Sequence, residues 1–168
     1  MTFVQALKGA AGTGRLPVIP ALKRISPKEG DLMGGRYPAE IAQALREAGA
    51  PVLSVVTEEK EFGGSLAMLR DIVSRTGLPV LRKDFIRSKE QILETAETGA
   101  GAVRLIGSMQ EEEQLARLLE CARANGLAAL VETHTPGEID RAKRVAPPLV
   151  GVNNRDILAL EKDDGGVD

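Results

Sequence analysis

The chain has 168 residues, 43% hydrophobic and 27% charged, with a formal net charge of -2; that is the profile of one globular domain with a core, and it lacks the basic field that would attract nucleic acid. The single cysteine, Cys121, rules out an intramolecular disulfide, and no run approaches the ~20 apolar residues of a membrane span, so a reducing cytoplasm is the expected location. Aromatic residues are only 2% and there is no tryptophan, so the core must be built from Leu, Ile, Val and Ala, and stacking platforms for bases are not expected.

A short N-terminal helix is expected over residues 1–12. The first strand is expected at Val18 to Leu22, followed by a Pro- and Gly-containing loop. A helix then follows in PAEIAQALREAGA, where Ile41, Leu45 and Ala48 recur at helical spacing behind Pro38 as a first-turn proline. The same unit repeats along the chain: PVLSVV then SLAMLRDIVSRTG, PVLRKDF then SKEQILETAETG, GAVRLI then MQEEEQLARLLECARANG, LAALVE then TPGEIDRAKRV, and PPLVGVNN with a stub behind it. Gly49, Gly77, Gly99 and Gly126 stand where helices should stop in a left-handed cap. Six strands and five full helices alternate, which predicts parallel strands joined by right-handed crossovers. An open doubly wound sheet and part of an eight-stranded (β/α) barrel both fit. No GxGxxG follows the first strand, which weakens the dinucleotide-binding form of the open sheet.

In both folds chemistry collects at the C-terminal ends of the strands. Here those ends carry Lys23 and Arg24; Thr57, Glu58 and Glu59; Arg82, Lys83 and Asp84; Ser108; Glu132 and His134; and Asn153, Asn154, Arg155 and Asp156. Lys83 and Glu132 continue directly from apolar runs, in VLRK and LVE, where an unpartnered charge is costly to bury. Both are therefore candidate functional groups. Asp84 reads as a structural partner or helix cap, and Cys121 as a core or near-core residue with no motif around it. His134, the only histidine, has no second ligand pattern nearby and is expected to be a solvated loop residue; no metal site is expected.

KRISPKEG, SVVTEEKEFGGS, LRKDFI, LVETH and GVNNRD, in this order from about Pro17 to Asp156, resemble indole-3-glycerol-phosphate synthase. The resemblance implies a cofactor-free (β/α)8 TIM barrel, a single domain over residues 1–168, here incomplete with about six βα units because strands seven and eight are absent. It implies ring closure and decarboxylation of 1-(2-carboxyphenylamino)-1-deoxyribulose 5-phosphate in tryptophan biosynthesis, with a small phosphorylated molecule as the partner and neither nucleic acid nor membrane. By resemblance, Lys83 is the general acid at the substrate ketone and Glu132 the second acid/base group, assisting dehydration. Lys23 holds anionic groups of the substrate, and Asn153 orients a substrate hydroxyl or the catalytic carboxylate. Ser26 and Arg155 match positions near the substrate carboxylate, and Phe62 matches an aromatic against the anthranilate ring.

Two residues depart from the family pattern. The family usually has a catalytic glutamate two residues before the strand-one lysine, and Ala21 stands there. Arg104 lies in a strand, GAVRLIG, whose counterpart is usually apolar, so its guanidinium must find a carboxylate or reach a barrel end. The missing strands would also carry most of the phosphate site, and open sheet edges would favour self-association or a complementing fragment. The alternative function is a catalytically impaired fragment or paralogue that binds phosphosugars or acts in assembly.

Overall fold

The computed structural model of the protein describes residues 1–155, so Asp156 and the segment expected behind the sixth strand lie outside the described residues. Six strands form one all-parallel sheet: β1 (Ala21–Leu22), β4 (Leu53–Val56), β5 (Val80–Lys83), β6 (Ala102–Ile106), β7 (Ala128–Thr133) and β8 (Leu149–Val152). Their order across the sheet is their order in the chain. A doubly wound sheet reverses its order at a switch point; this one does not. The consecutive order is that of an incomplete (β/α) barrel.

The helices are α1 (Phe3–Gly12), α2 (Pro38–Glu47), α3 (Leu66–Thr76), α4 (Lys89–Glu97), α5 (Glu112–Ala124) and α6 (Pro136–Val145). Their starts follow local chemistry. Thr2, Ser65, Ser88 and Thr135 each accept a backbone N–H in the first turn, while α2 starts on Pro38 without a side-chain cap. Gly77 ends α3 at φ 62°, and Gly49, Gly99 and Gly126 follow α2, α4 and α5 in the same left-handed region, as the sequence predicts.

Two local expectations need correction. The first strand is only Ala21–Leu22, not Val18 to Leu22, because Pro20 has no N–H for the ladder and joins it only through its carbonyl, which accepts from Ser54 N at 2.8 Å. The loop behind β1 is also not structureless: β2 (Ile25–Ser26) and β3 (Gly30–Asp31) form an antiparallel hairpin. Its turn is closed by Ser26 Oγ, which accepts from the backbone N–H groups of Lys28 at 3.3 Å and Glu29 at 3.2 Å.

Side chains alternate between the two faces of each strand, and this period of two positions the site. Leu53 and Val55 of β4 and Val80 of β5 point outward, into a core shared with Ala42 of α2 and with Leu69 and Ile72 of α3. Val103 and Leu105 of β6 and Val131 of β7 do the same against α4, α5 and α6. The intervening residues face inward. Leu81, Ala102, Ala128 and Leu130 fill the lower interior with Phe3 and Ala6, so α1 packs on the N-terminal end of the barrel. One step further along the same strands, the inward positions are Lys83, Arg104 and Glu132.

Candidate active site at the strand C-termini

A cavity of about 390 Å³ opens at this end of the barrel, lined among others by Ala21, Lys23, Arg36, Phe62, Lys83 and Arg104. Lys83 and Arg104 share a wall because β5 and β6 pair Leu81 with Ala102 and Arg82 with Val103, which brings the next two residues side by side. Lys23 follows β1, and its Nζ stands 5.7 Å from the centre of the Phe62 ring, within reach of a cation–π contact. Phe62 is buried and its loop is rigid: the Glu58 carboxylate accepts from the backbone N–H groups of Lys60, Glu61 and Phe62 at 3.0, 2.8 and 3.1 Å.

Glu132 sits behind Arg104 rather than on the cavity wall. Arg104 Nη1 donates to its two carboxylate oxygens at 3.4 and 3.3 Å, and Asn153 Nδ2 donates to Oε1 at 3.2 Å. Burial by itself would raise the Glu132 carboxyl, but Arg104 first and Lys83 second, with the hydrogen bonds from Asn153 and Arg104, outweigh it. The carboxyl therefore lies below its ordinary range and is held as the anion. Arg104 is 3% exposed; its Nη2 donates to the Asp84 carbonyl at 3.2 Å and its guanidinium lies 5.9 Å from the centre of the Phe85 ring. Its Nε is buried without a partner. Of the two outcomes the sequence allows, finding a carboxylate is the one realised.

The fold thus brings Lys23, Phe62 and Lys83 to one cavity, and Glu132 and Asn153 to an adjoining cluster joined to it through Arg104. Ser26 and Arg155 are placed otherwise. Ser26 closes the hairpin turn, and the Arg155 backbone N–H donates to Asn153 Oδ1 at 3.0 Å; neither lines the cavity. Asp84 accepts from Thr57 Oγ1 at 2.6 Å, from Arg82 Nη2 at 3.0 Å and from its neighbour Phe85 N at 2.8 Å, so it ties β4 to β5 outside the barrel.

The indole-3-glycerol phosphate synthase family model matches residues 1–166. The chain is 47% identical over 151 residues to indole-3-glycerol phosphate synthase of Pyrococcus furiosus, covering 90% of this chain and 66% of that protein. It is 48% identical over 150 residues to the Thermococcus kodakarensis protein of the same name, covering 89% and 66%. It is 40% identical over 163 residues to that of Hyphomonas neptunium, covering 97% and 62%. The chain belongs to the indole-3-glycerol phosphate synthase family. It spans just under two thirds of the length of these relatives.

Within that family frame, three features of the site were not visible in the sequence. Arg36 reaches the cavity from the loop behind the β2–β3 hairpin, where its Nε donates to the Met33 carbonyl at 3.0 Å; no periodicity marks a residue in such a loop. Arg104 is legible as an oddity, but its role as the link between cavity and Glu132 depends on strand register. His134 is not a solvated loop residue: its side chain is 15% exposed and its ring lies beside Glu132. The only sequence signal was its spacing of two from Glu132, which in an extended strand puts both on one face.

Proposed function

We propose that the chain carries the acid–base centre of an indole-3-glycerol-phosphate synthase, acting on 1-(2-carboxyphenylamino)-1-deoxyribulose 5-phosphate in tryptophan biosynthesis, in the cytoplasm and without a cofactor. The observation that carries this reading is the cavity at the C-terminal end of the strands, lined by Lys83, Lys23 and the buried ring of Phe62, with Lys23 against that ring. Ring closure needs a proton at the ketone oxygen as the aromatic carbon attacks, and Lys83 is the donor there. Loss of carbon dioxide and then of water needs a second group; Glu132, aligned by Asn153, assists the dehydration. Lys23 holds an anionic group of the substrate, Phe62 faces its aromatic ring, and Ser26 and Arg155 match, by family resemblance, positions near the substrate carboxylate. Among the described residues no helix is long and apolar enough to cross a membrane.

A second reading has one observation behind it. Ala21 lines the cavity at the position where the family pattern has a glutamate, which favours a chain that binds the phosphorylated ligand and turns it over slowly or not at all, completed by self-association or by another fragment. Product formation is followed by indole absorbance alongside ligand binding by calorimetry. Turnover abolished by Lys83→Met with binding retained supports the first reading, and binding without turnover in the unaltered chain supports the second. Turnover unchanged in Lys83→Met would refute the role given to Lys83.

A further inference from the structure

The ring of His134 is seated between two carboxylates. Nδ1 lies 3.2 Å from Glu138 Oε2 and Nε2 lies 3.6 Å from Glu132 Oε1. Glu138 is itself fixed: its Oε2 also accepts the His134 backbone N–H at 2.9 Å, and its Oε1 accepts from Thr135 Oγ1 at 3.2 Å. A carboxylate so placed accepts a hydrogen bond from Nδ1–H and so sets the tautomer of the ring. Nε2 then faces Glu132, is buried, and has no hydrogen-bond partner. A bare imidazole nitrogen and a carboxylate oxygen are both acceptors, so they can bond only when one of them carries a proton. At 3.6 Å the two atoms lie beyond hydrogen-bond distance, and a single proton on either one would let them close into a bond.

We propose that His134 is the proton store of Glu132, with Glu138 as the residue that orients it. In the transfer, the Nε2–H bond of the imidazolium breaks and an Oε1–H bond forms on Glu132, leaving a neutral ring with its remaining proton on Nδ1. Glu132 gives that proton to the departing hydroxyl of the substrate, which leaves as water, and Glu132 returns to the carboxylate. Glu132 takes the C–H proton released as the new double bond forms and hands it back to the buried Nε2, so the ring is reloaded without solvent reaching that nitrogen. The groups facing this pair are Glu138 from α6 on the Nδ1 side and Arg104 from β6, Lys83 from β5 and Asn153 behind β8 on the Glu132 side. Arg141 of α6 is bound to the carbonyls of Gly107 and Gln110 at 3.3 and 2.6 Å. The positive groups behind Glu132 hold its carboxyl below the ordinary range.

This assignment rests on Glu132 being an acid/base group of the proposed reaction, and its test does not require the reaction to run. Because His134 is the only histidine of the chain, its ring nitrogens can be followed by 15N NMR in the full chain together with the Glu132 carboxyl carbon. The two are expected to move together as one coupled titration. The neutral ring should carry its proton on Nδ1, Glu138→Gln should lose that preference, and Glu132→Gln should alter the ring titration. A ring that titrates identically in the unaltered chain and in Glu132→Gln overturns the proposal. In turnover, His134→Gln is expected to lower kcat on the order of tenfold at unchanged KM and to flatten the acid limb of the pH profile; unchanged kcat with the profile intact also overturns it. No product from the unaltered chain would count against the proposed reaction, while the NMR titration would still decide the role of His134.

Discussion

Replacing Arg104 by leucine tests how the site is held together. The variant loses the ion pair to Glu132 at 3.3 Å, the Nη2 bond to the Asp84 carbonyl at 3.2 Å and the contact with the Phe85 ring. Removing one partner of a buried pair commonly costs ~3–5 kcal/mol. Two features reduce that figure here. Glu132 keeps Lys83 and Asn153 nearby, and the unpartnered Nε disappears with the arginine, which relieves ~1–3 kcal/mol. A net destabilisation of about 1–3 kcal/mol near neutral pH follows. The pH dependence has a definite sign. In the unaltered chain the Glu132 carboxyl is depressed in the folded state, so its contribution is present above the ordinary carboxylate range and is lost as pH falls through the depressed value. Without Arg104 the main lowering influence is gone while burial still raises the carboxyl, so the variant loses less on acidification. The difference between the two chains, read by urea unfolding at about pH 7 and about pH 4, should therefore shrink at the lower pH. In Arg104→Leu/Glu132→Gln most of the loss should be recovered, because no buried charge is left unpaired. A leucine variant as stable as the parent near neutrality, or a difference that does not change with pH, would refute the clamp.

Two further substitutions probe a close approach of the backbone behind β4 and the cavity wall at β1. A Cβ at Gly64 would lie 2.6 Å from Thr57 Cα and closer still to the Val56 carbonyl oxygen, both backbone atoms, so Gly64→Ala should cost ~1–3 kcal/mol in thermal or urea unfolding; a loss under about 0.5 kcal/mol would contradict the close approach. Ala21→Glu puts a carboxylate on the cavity wall at an exposed position, and should leave stability within about 0.5 kcal/mol while raising the rate of product formation by roughly a hundredfold; no gain in a folded, assembled preparation would show that the cavity is not limited by a missing acid at strand one.

The repeating units were legible because glycines stand where four of the helices end, as Gly99 does behind α4, and because the strands carry apolar runs of the right length. The competition between barrel and open sheet was not decidable from those runs, since both folds have the same local grammar; strand order decided it. The β2–β3 hairpin escaped because its two-residue strands offer no period, and its turn is set by one hydroxyl, Ser26 Oγ. For the site, VLRK and LVE located Lys83 and Glu132, since a charge continuous with a buried strand must face either a partner or a cavity. The sequence did not show that Arg104 stands between the two clusters or that His134 completes one of them. The first depends on strand register across the 28 residues that separate Arg104 from Glu132, and the second on the local turn that seats the His134 ring between Glu132 and Glu138.

Ala21 and Arg104 act on the same quantity. One removes a carboxylate from the wall of the cavity and the other adds a cation to it, so that Lys23, Arg36, Lys83 and Arg104 line the space with no Asp or Glu among the described residues that line it. Such a wall favours a ligand that brings negative charge, and it does so at short range, within the distance over which salt screens little. Glu132 has been drawn into this field from behind, and its ion pair with Arg104 is one nitrogen shared between two oxygens at the long end of hydrogen-bond distance. An anionic group entering the cavity therefore competes with Glu132 for the same guanidinium. As the ligand takes a share of Arg104, burial weighs more heavily on Glu132 and its affinity for a proton rises. Under the proposed reaction, binding of the ligand would in this way ready Glu132 to act as a proton acceptor.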